Sequence, residues 1–459
     1  MLELERALGE SQVETAPDRC ANYVRDESYI DGVVPFAVVH ARSTADVSKT
    51  LATCNAHGIP VFPRAAGSGK TGGAVPTSPG IVLDTLPLAR VKEIDRENLV
   101  AVVEPGVITG RFHELVESEG LFYPPDPNSL ELCAIGGNVA ENAGGPRAFK
   151  YGVTREYVYG LEAVTMDGTV LRTGKRTVKG VTGYDVTALL VGSEGTLAVF
   201  TEATLRLLPK PPEVRTLLAL FTHVLDAGRA VSGIVAKGLV PRCLELLDRE
   251  CCDAIRDSGK VPLAPDVQAV LILEIDGEGP TLEAQMERLG NACTEAGASD
   301  VQVARHGGDR DRMWAARRAM SHALRARARF KMSEDIVVPR SKLGDMLERV
   351  ARIAERERLR LPSYGHAGDG NLHVNFLWDD PDGKARVDRA IDEVFRTTIE
   401  LGGTLTGEHG LGVLKRDYLP LEQSEALIET QRRIKDVFDP KGLLNPGKMF
   451  PTRRGHRAC

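Results

Sequence analysis

A glycine-rich loop set between two short apolar runs does most to restrict what this chain can become. Ile59-Pro60-Val61-Phe62-Pro63 reads as one strand and Ile81-Val82-Leu83 as the next; between them lies Arg64-Ala65-Ala66-Gly67-Ser68-Gly69-Lys70-Thr71-Gly72-Gly73. Two phosphate-binding patterns overlap here as letters. Gly67-x-Gly69-x-x-Gly72 matches the dinucleotide fingerprint, which works only when a helix starts within the glycines. Pro76 and Pro79 follow instead, and then a strand. Gly69-Lys70-Thr71 matches the end of a P-loop, whose first glycine would fall where Arg64 stands. Both patterns therefore fail on context. What remains is a small-residue loop whose backbone N–H groups can form an anion nest; the plain alternative is a flexible surface loop.

The flanking sequence supplies the rest of a β–α–β opening. Pro35 to His40 is strand-like, Ser43 is a candidate N-cap, and the helix that follows runs through Leu51 and Cys54 to Gly58. Some parallel sheet is expected. Leu99 to Val103 reads as a strand, Thr109 to Gly120 as an amphipathic helix, and Tyr123 to Ser129 as a proline-set loop. A second glycine-rich stretch, Ala134 to Gly145, places Gly136 and Gly137 at a helix entrance, where a phosphate is attracted. Val158 to Met166 and Thr169 to Thr173 form a hairpin across Asp167-Gly168. A third stretch, Gly192 to Thr201, runs into a strand, and Pro209, Pro211 and Pro212 mark a domain boundary. Beyond it, strands and helices alternate to about residue 300. Asp311 to Arg329 reads as one long basic helix carrying Trp314, its arginines mostly a solvated face. Asp335 to Pro339 and Leu372 to Phe376 are strands, and Pro381 to Leu401 and Ser424 to Phe438 are helices.

With 459 residues the chain needs two or three domains. A net charge of -6 and an aromatic share of 5% argue against a nucleic-acid surface. The basic cluster Arg453, Arg454 and Arg457 reads as a solvated tail. The opening Met-Leu-Glu-Leu-Glu-Arg lacks the pattern of a secretory signal, and no apolar run is long enough to cross a bilayer. The eight cysteines contain no CxxC pair, which argues against a zinc ribbon or a ferredoxin-type cluster. A cytoplasmic chain is expected, with peripheral attachment to a membrane as a second reading.

The chemistry concentrates late in the sequence. In Gly365-His366-Ala367-Gly368-Asp369-Gly370-Asn371-Leu372-His373, glycines and an Asp-Gly pair permit a tight reversal that can swing His373 back towards His366. Two imidazoles and a carboxylate make a divalent-metal site. Gly407-Glu408-His409-Gly410 offers the carboxylate. The bland alternative is two loop histidines and a helix-capping glutamate.

Taken together and in this order, the three glycine-rich stretches and the two histidine motifs resemble the FAD-linked 2-hydroxyacid dehydrogenases and oxidases. This group contains the FAD subunit of glycolate oxidase, D-lactate dehydrogenase and D-2-hydroxyglutarate dehydrogenase. The likeness spans roughly residues 35–450. It implies an α+β fold: a two-subdomain FAD-binding module of the PCMH type over 35–212 and an α+β substrate- and metal-binding domain over 213–450, between a lead-in at 1–34 and a tail at 451–459. Carried over residue by residue, Arg64, Ala65, Ala66, Gly67, Ser68, Gly69 and Thr71 hold the FAD diphosphate, and Pro125, Asp126, Pro127 and Asn128 run beside the flavin. Gly136, Gly137, Asn138, Ala143, Gly144 and Gly145 wrap the cofactor; Glu194, Gly195, Ala198 and Val199 contact its adenosine side; Asn445 returns to the ring. The family usually reads Arg-Gly where this chain has Arg64-Ala65. No histidine occupies the loop where covalently flavinylated relatives carry one, so non-covalent FAD is expected.

The same resemblance makes His366, His373 and Glu408 the ligands of a divalent metal (zinc, manganese or iron), His409 the catalytic base, Asn375 a contact of the substrate hydroxyl and Arg317 the anchor of its carboxylate. Glu245 and Asp248 fall in a similar stretch but receive no role. The implied reaction is oxidation of a D-2-hydroxyacid, glycolate or D-lactate, to the 2-oxoacid, with hydride passing to the flavin. D-2-hydroxyglutarate is the same-class alternative, with Lys331 as a candidate for the extra carboxylate. Other readings are a metal hydrolase, and a flavin-binding subunit inactive outside a larger complex. The acceptor is expected to be a quinone, a cytochrome, an electron-transfer flavoprotein or an iron–sulfur subunit, with direct use of oxygen left open.

Overall fold

The computed structural model describes residues 1–28, 30–258, 263–304 and 307–452. The arginines of the tail, Arg453, Arg454 and Arg457, lie outside the described residues. The chain divides into two compact units: one comprises 1–144, 153–210 and the chain from Glu408 on, and the other comprises 145–152 and 211–407.

Unit 1 holds two larger sheets and a two-stranded one. In the first, β1 (Val13–Glu14), β2 (Ala37–His40), β3 (Val61–Arg64) and β4 (Ile81–Asp84) lie in the order β1-β2-β4-β3. β2, β4 and β3 are parallel. The helix Thr44–His57 makes the crossover; Ser43 accepts the Asp46 N–H at its start, and Gly58, left-handed at φ 66°, closes it. Its inner face, Val47, Leu51 and Cys54, packs on Val39, Val61, Ile81 and Leu83. No helix occurs between β3 and β4. The glycine loop therefore joins strand to strand, and a fingerprint or P-loop helix has nowhere to start.

The second sheet is antiparallel: β5 (Val91–Asp95), β6 (Val100–Val103), β8 (Val158–Val164), β9 (Val170–Gly174) and β10 (Val199–Arg206), in the order β5-β6-β10-β8-β9. β7 (Leu121–Phe122) pairs separately with β11 (Leu208–Pro209). The hairpin β8–β9 turns at Asp167-Gly168, with Gly168 at φ 88°. The helix Ile135–Glu141 follows a proline loop and ends at Asn142, itself left-handed.

Unit 2 is a seven-stranded sheet: β12 (Glu213–Phe221), β13 (Cys243–Leu247), β14 (Ala269–Gly277), β15 (Asp300–Val303), β16 (Phe330–Val337), β17 (Ser363–His366) and β18 (Asn371–Trp378). Their order is β15-β12-β14-β13-β17-β18-β16, antiparallel throughout. Helices Val224–Ala236, Gly279–Glu295, Leu343–Glu357 and Lys384–Glu400 accompany it. The long basic helix expected over 311–329 is two: Gly307–Arg318 and Met320–Arg325, parted at Ala319. No proline or glycine marks the break. Side chains of the first piece are drawn into the sheet, where Trp314 Nε1 donates to Glu274 at 2.5 Å and Arg317 meets Glu245 at 2.6 Å.

Two further features depart from the sequence reading. β1 lies inside the stretch read as a lead-in. Residues 408–452 group with unit 1, whereas the sequence reading put 213–450 in one domain. The reason is backbone pairing across the whole length of the sequence: Val61 N–H bonds to Leu443 O at 2.9 Å and Asn445 N–H to Val61 O at 2.7 Å. Among the described residues, no helix is long and apolar enough to cross a membrane.

Candidate active site

In unit 2 the hairpin β17–β18 brings the two histidines together. Gly370, at φ 84°, takes a turn conformation that a side chain would oppose. A Cβ on Gly365 would lie 3.0 Å from Leu372 Cα, so glycine is needed for the strands to close. The two imidazole centroids are 5.4 Å apart and perpendicular, at 89°. Register then gives each histidine an acidic neighbour. Glu245 on β13 sits directly opposite His366 on β17, and Asp335 on β16 directly opposite His373 on β18.

Glu245 is fully buried, and its two oxygens face different partners. His366 Nδ1 lies 2.5 Å from Oε1; Arg317 Nε and Nη2 both lie 2.6 Å from Oε2. The guanidinium also covers the Tyr364 ring at 4.7 Å, and that ring lies 5.4 Å from His373. Burial works against the Glu245 charge, but Arg317 and His366 outweigh it and hold the carboxyl down to about 2. An ionised Glu245 keeps a proton on His366 Nδ1, so the lone pair of the neutral ring sits on Nε2. Asp335, also fully buried, accepts from Asn371 Nδ2 at 2.5 Å, Thr406 Oγ1 at 2.9 Å and the Gly407 N–H at 2.7 Å. It thereby fixes the chain immediately before Glu408.

Asn375 follows His373 by two residues and shares its face of β18. Its Nδ2 is occupied by the carbonyls of Pro362 and His373, at 3.1 and 3.0 Å. Its Oδ1 is buried and finds no partner among the described residues. Lys331 Nζ donates to Ser321 Oγ at 2.8 Å. Glu245 and Asp335 carry the arrangement but were given no role from sequence. The signal was present for Glu245, a lone acid in an apolar run at Leu244-Glu245-Leu246, but not for Asp335, which follows Ser333 and Glu334.

Unit 1 gathers the other group of residues. The loop from Arg64 to Thr71 leaves the end of β3, with Gly67 left-handed at φ 68°. Residues 136–144 form the helix Ile135–Glu141 and the turn after it; Gly145 belongs to unit 2. Asn138 is tied inward, Nδ2 donating to Thr109 Oγ1 at 2.7 Å. Val199 packs within the core of the first sheet. Asn445, left-handed at φ 46°, donates Nδ2 to the carbonyls of Gly73 and Glu194 at 3.0 and 2.8 Å. His409 also lies in unit 1, its Nε2 4.0 Å from Glu408 Oε1.

Residues 210–449 match the FAD linked oxidases, C-terminal domain, and residues 35–174 match the FAD binding domain. The chain belongs to the FAD linked oxidases. It is 44% identical to the glycolate oxidase subunit GlcD of Bacillus subtilis (strain 168), over 91% of this chain and 89% of the relative. It is 34% identical to the D-lactate dehydrogenase of Anaerostipes hadrus, over 98% and 97%. Its fold is that of p-cresol methylhydroxylase (TM-score 0.81, 16% identity, covering 98% of this chain and 95% of that one). The 4-ethylphenol oxidase of Gulosibacter chungangensis has the same fold (TM-score 0.81, 21% identity, covering 98% and 97%).

As an FAD linked oxidase the chain should present a cradle for the dinucleotide, and unit 1 has the marks of one. A Cβ added to Gly137 would meet nothing within 4 Å, so there is open space at the helix entrance. Ser193 Oγ and Asn445 Oδ1 are buried without a hydrogen-bond partner among the described residues. The residues fit the cofactor of the family. In unit 2 the donor set, two imidazoles backed by buried carboxylates, fits a borderline divalent cation.

Proposed function

We propose that this FAD-dependent oxidoreductase oxidises a D-2-hydroxyacid, glycolate or D-lactate, to the 2-oxoacid, and does so with a divalent metal held by His366, His373 and Glu408. The observation that carries the metal assignment is the Arg317–Glu245–His366 chain. It spends two buried charges on orienting one imidazole, which a merely structural histidine does not need. FAD, when bound, accepts the hydride from the substrate C–H. A divalent cation, when bound, would make the substrate hydroxyl more acidic, since its proton is otherwise too weakly acidic for histidine to remove.

The chain's residues supply the rest. Glu245 sets the His366 tautomer, and Asp335 anchors both the Asn371 side chain and Gly407, so that each metal-binding motif leaves the sheet from a fixed point. His409 takes the hydroxyl proton. Asn375 contacts the substrate hydroxyl, its amide nitrogen held by the carbonyls of Pro362 and His373. Arg317 contributes charge at the substrate carboxylate from the edge of its guanidinium that Glu245 leaves unused. Arg64 to Gly69 and the Thr71 N–H, the segment 125–128, Gly136, Gly137, Asn138, Ala143, Gly144 and Gly145, and Gly195, Ala198, Val199 and Asn445 hold FAD non-covalently.

The B. subtilis relative is named as a subunit, which supports a partner to receive the electrons: a quinone, a cytochrome, an electron-transfer flavoprotein or an iron–sulfur subunit. Anaerobic mixing of the purified yellow protein with a panel of hydroxyacids tests the substrate reading. Glycolate or D-lactate should bleach the flavin, D-2-hydroxyglutarate more slowly. A protein that no hydroxyacid reduces would mean that substrate oxidation is wrongly assigned to the isolated chain.

A further inference from the structure

The segment 409–414 carries the proposed base and is gripped in a way that neither cofactor binding nor proton transfer requires. Thr71 donates its hydroxyl hydrogen to His409 O at 3.0 Å, and its own carbonyl accepts from the N–H groups of Val413 at 2.8 Å and Leu414 at 3.2 Å. Glu194 spreads its carboxylate over the intervening peptides: Leu411 N–H to Oε1 at 2.8 Å and Gly412 N–H to Oε2 at 2.7 Å. Thr71 and Glu194 are only 2% and 5% exposed, so water does not compete for these bonds.

The backbone is shaped to allow the grip. A Cβ on Gly412 would lie 2.6 Å from Thr71 Oγ1, and one on Gly410 would lie 2.9 Å from Glu194 Oε1. Glycine at both places lets the segment settle onto the two side chains. Glu194 is itself left-handed, at φ 50°, a conformation that a non-glycine residue resists. Asn445 Nδ2, bonded to the Glu194 carbonyl at 2.8 Å, fastens it there.

We propose that Thr71 and Glu194 are positioning residues for His409, and that Thr71 makes the cofactor loop and the base-bearing segment one mechanical piece. This inference rests on the reading of His409 as the base. The family likeness brings the Thr71 backbone N–H to the FAD diphosphate and Glu194 to its adenosine side. Here the Thr71 hydroxyl and both Glu194 oxygens are committed to the 409–414 backbone, and only the Thr71 N–H is left for a diphosphate.

A double-mutant cycle on the holoenzyme tests it, read as the limiting rate of anaerobic flavin reduction by the best hydroxyacid. Thr71→Val and Glu194→Gln should each lower that rate ten- to a hundredfold, as a misplacement of about 1 Å does. The half-saturating substrate concentration should stay within threefold and the FAD content unchanged, while Thr71→Ser restores the rate. In a His409→Asn background, Thr71→Val should cost nothing further, because the group it positions is gone. Equal losses with and without His409 would overturn the proposal, as would wild-type rates in both single variants. Should Thr71→Val not fold, the Glu194→Gln cycle decides in the same way. A His409→Asn enzyme that reduces at the wild-type rate would remove the base assignment itself, an outcome distinct from failure of the grip alone.

Discussion

Glu245 is the residue on which unit 2's chemistry turns. A carboxylate buried alone would take up a proton; between Arg317 and His366 it stays ionised and dictates which nitrogen of His366 faces a ligand. Glu245→Gln should weaken metal binding by about 10- to 100-fold while FAD content is unchanged, measured by competition with a chromogenic chelator. The same substitution has a pH signature. The Glu245 carboxyl is lowered from 4.5 to about 2, so its contribution to stability is present above pH 4.5 and is lost as pH falls towards 2. The stability gap between wild type and Glu245→Gln, measured by denaturation in metal-free buffer, should therefore close across that window. A gap that does not change with pH would mean that Glu245 is not held ionised.

At the scale of elements, the hairpin β17–β18 brings together the two histidines proposed as metal ligands. Gly370→Ala asks a side chain to adopt φ 84° and should cost about 1–3 kcal/mol in chemical denaturation, with loss of metal affinity. Unchanged affinity would show that the turn does not set the convergence. The elements bounded by local chemistry were legible in the sequence. The helix after Ser43 runs to Gly58 as its caps require, and the Asp167-Gly168 turn joins the strands it should. What could not be read was set by partners far away in sequence. β16 extends back to Phe330 because all eight of its residues pair with β18, and Phe330 stacks on Trp378. The basic helix breaks at Ala319 with no breaker residue, its inner side chains taken by Glu245 and Glu274. His366 and His373 were visible as motif letters, whereas Glu245 and Asp335 acquire meaning only through the register that places them opposite.

In the whole molecule, the proposed FAD cradle belongs to one unit and the two histidines to the other. FAD binding to the folded chain should stabilise it by about 2.7 kcal/mol at a hundredfold excess over Kd, read as a raised melting temperature of FAD-depleted protein on adding FAD. The chain returns from Glu408 to the first unit, where Asn445, proposed to hold FAD, bonds to Gly73 and Glu194. Asn445→Ala should accordingly lose FAD without altering metal binding, and loss of metal in place of FAD would contradict that division.

The central claim is that a divalent metal assists hydroxyacid oxidation. It is tested most directly by anaerobic flavin reduction on one preparation, before metal removal, after complete removal verified by elemental analysis, and after adding zinc, manganese or ferrous iron. Removal should leave the protein yellow, slow reduction at least a hundredfold, and be reversed by one equivalent of a suitable cation. Bleaching at an unchanged rate in verifiably metal-free protein would contradict it.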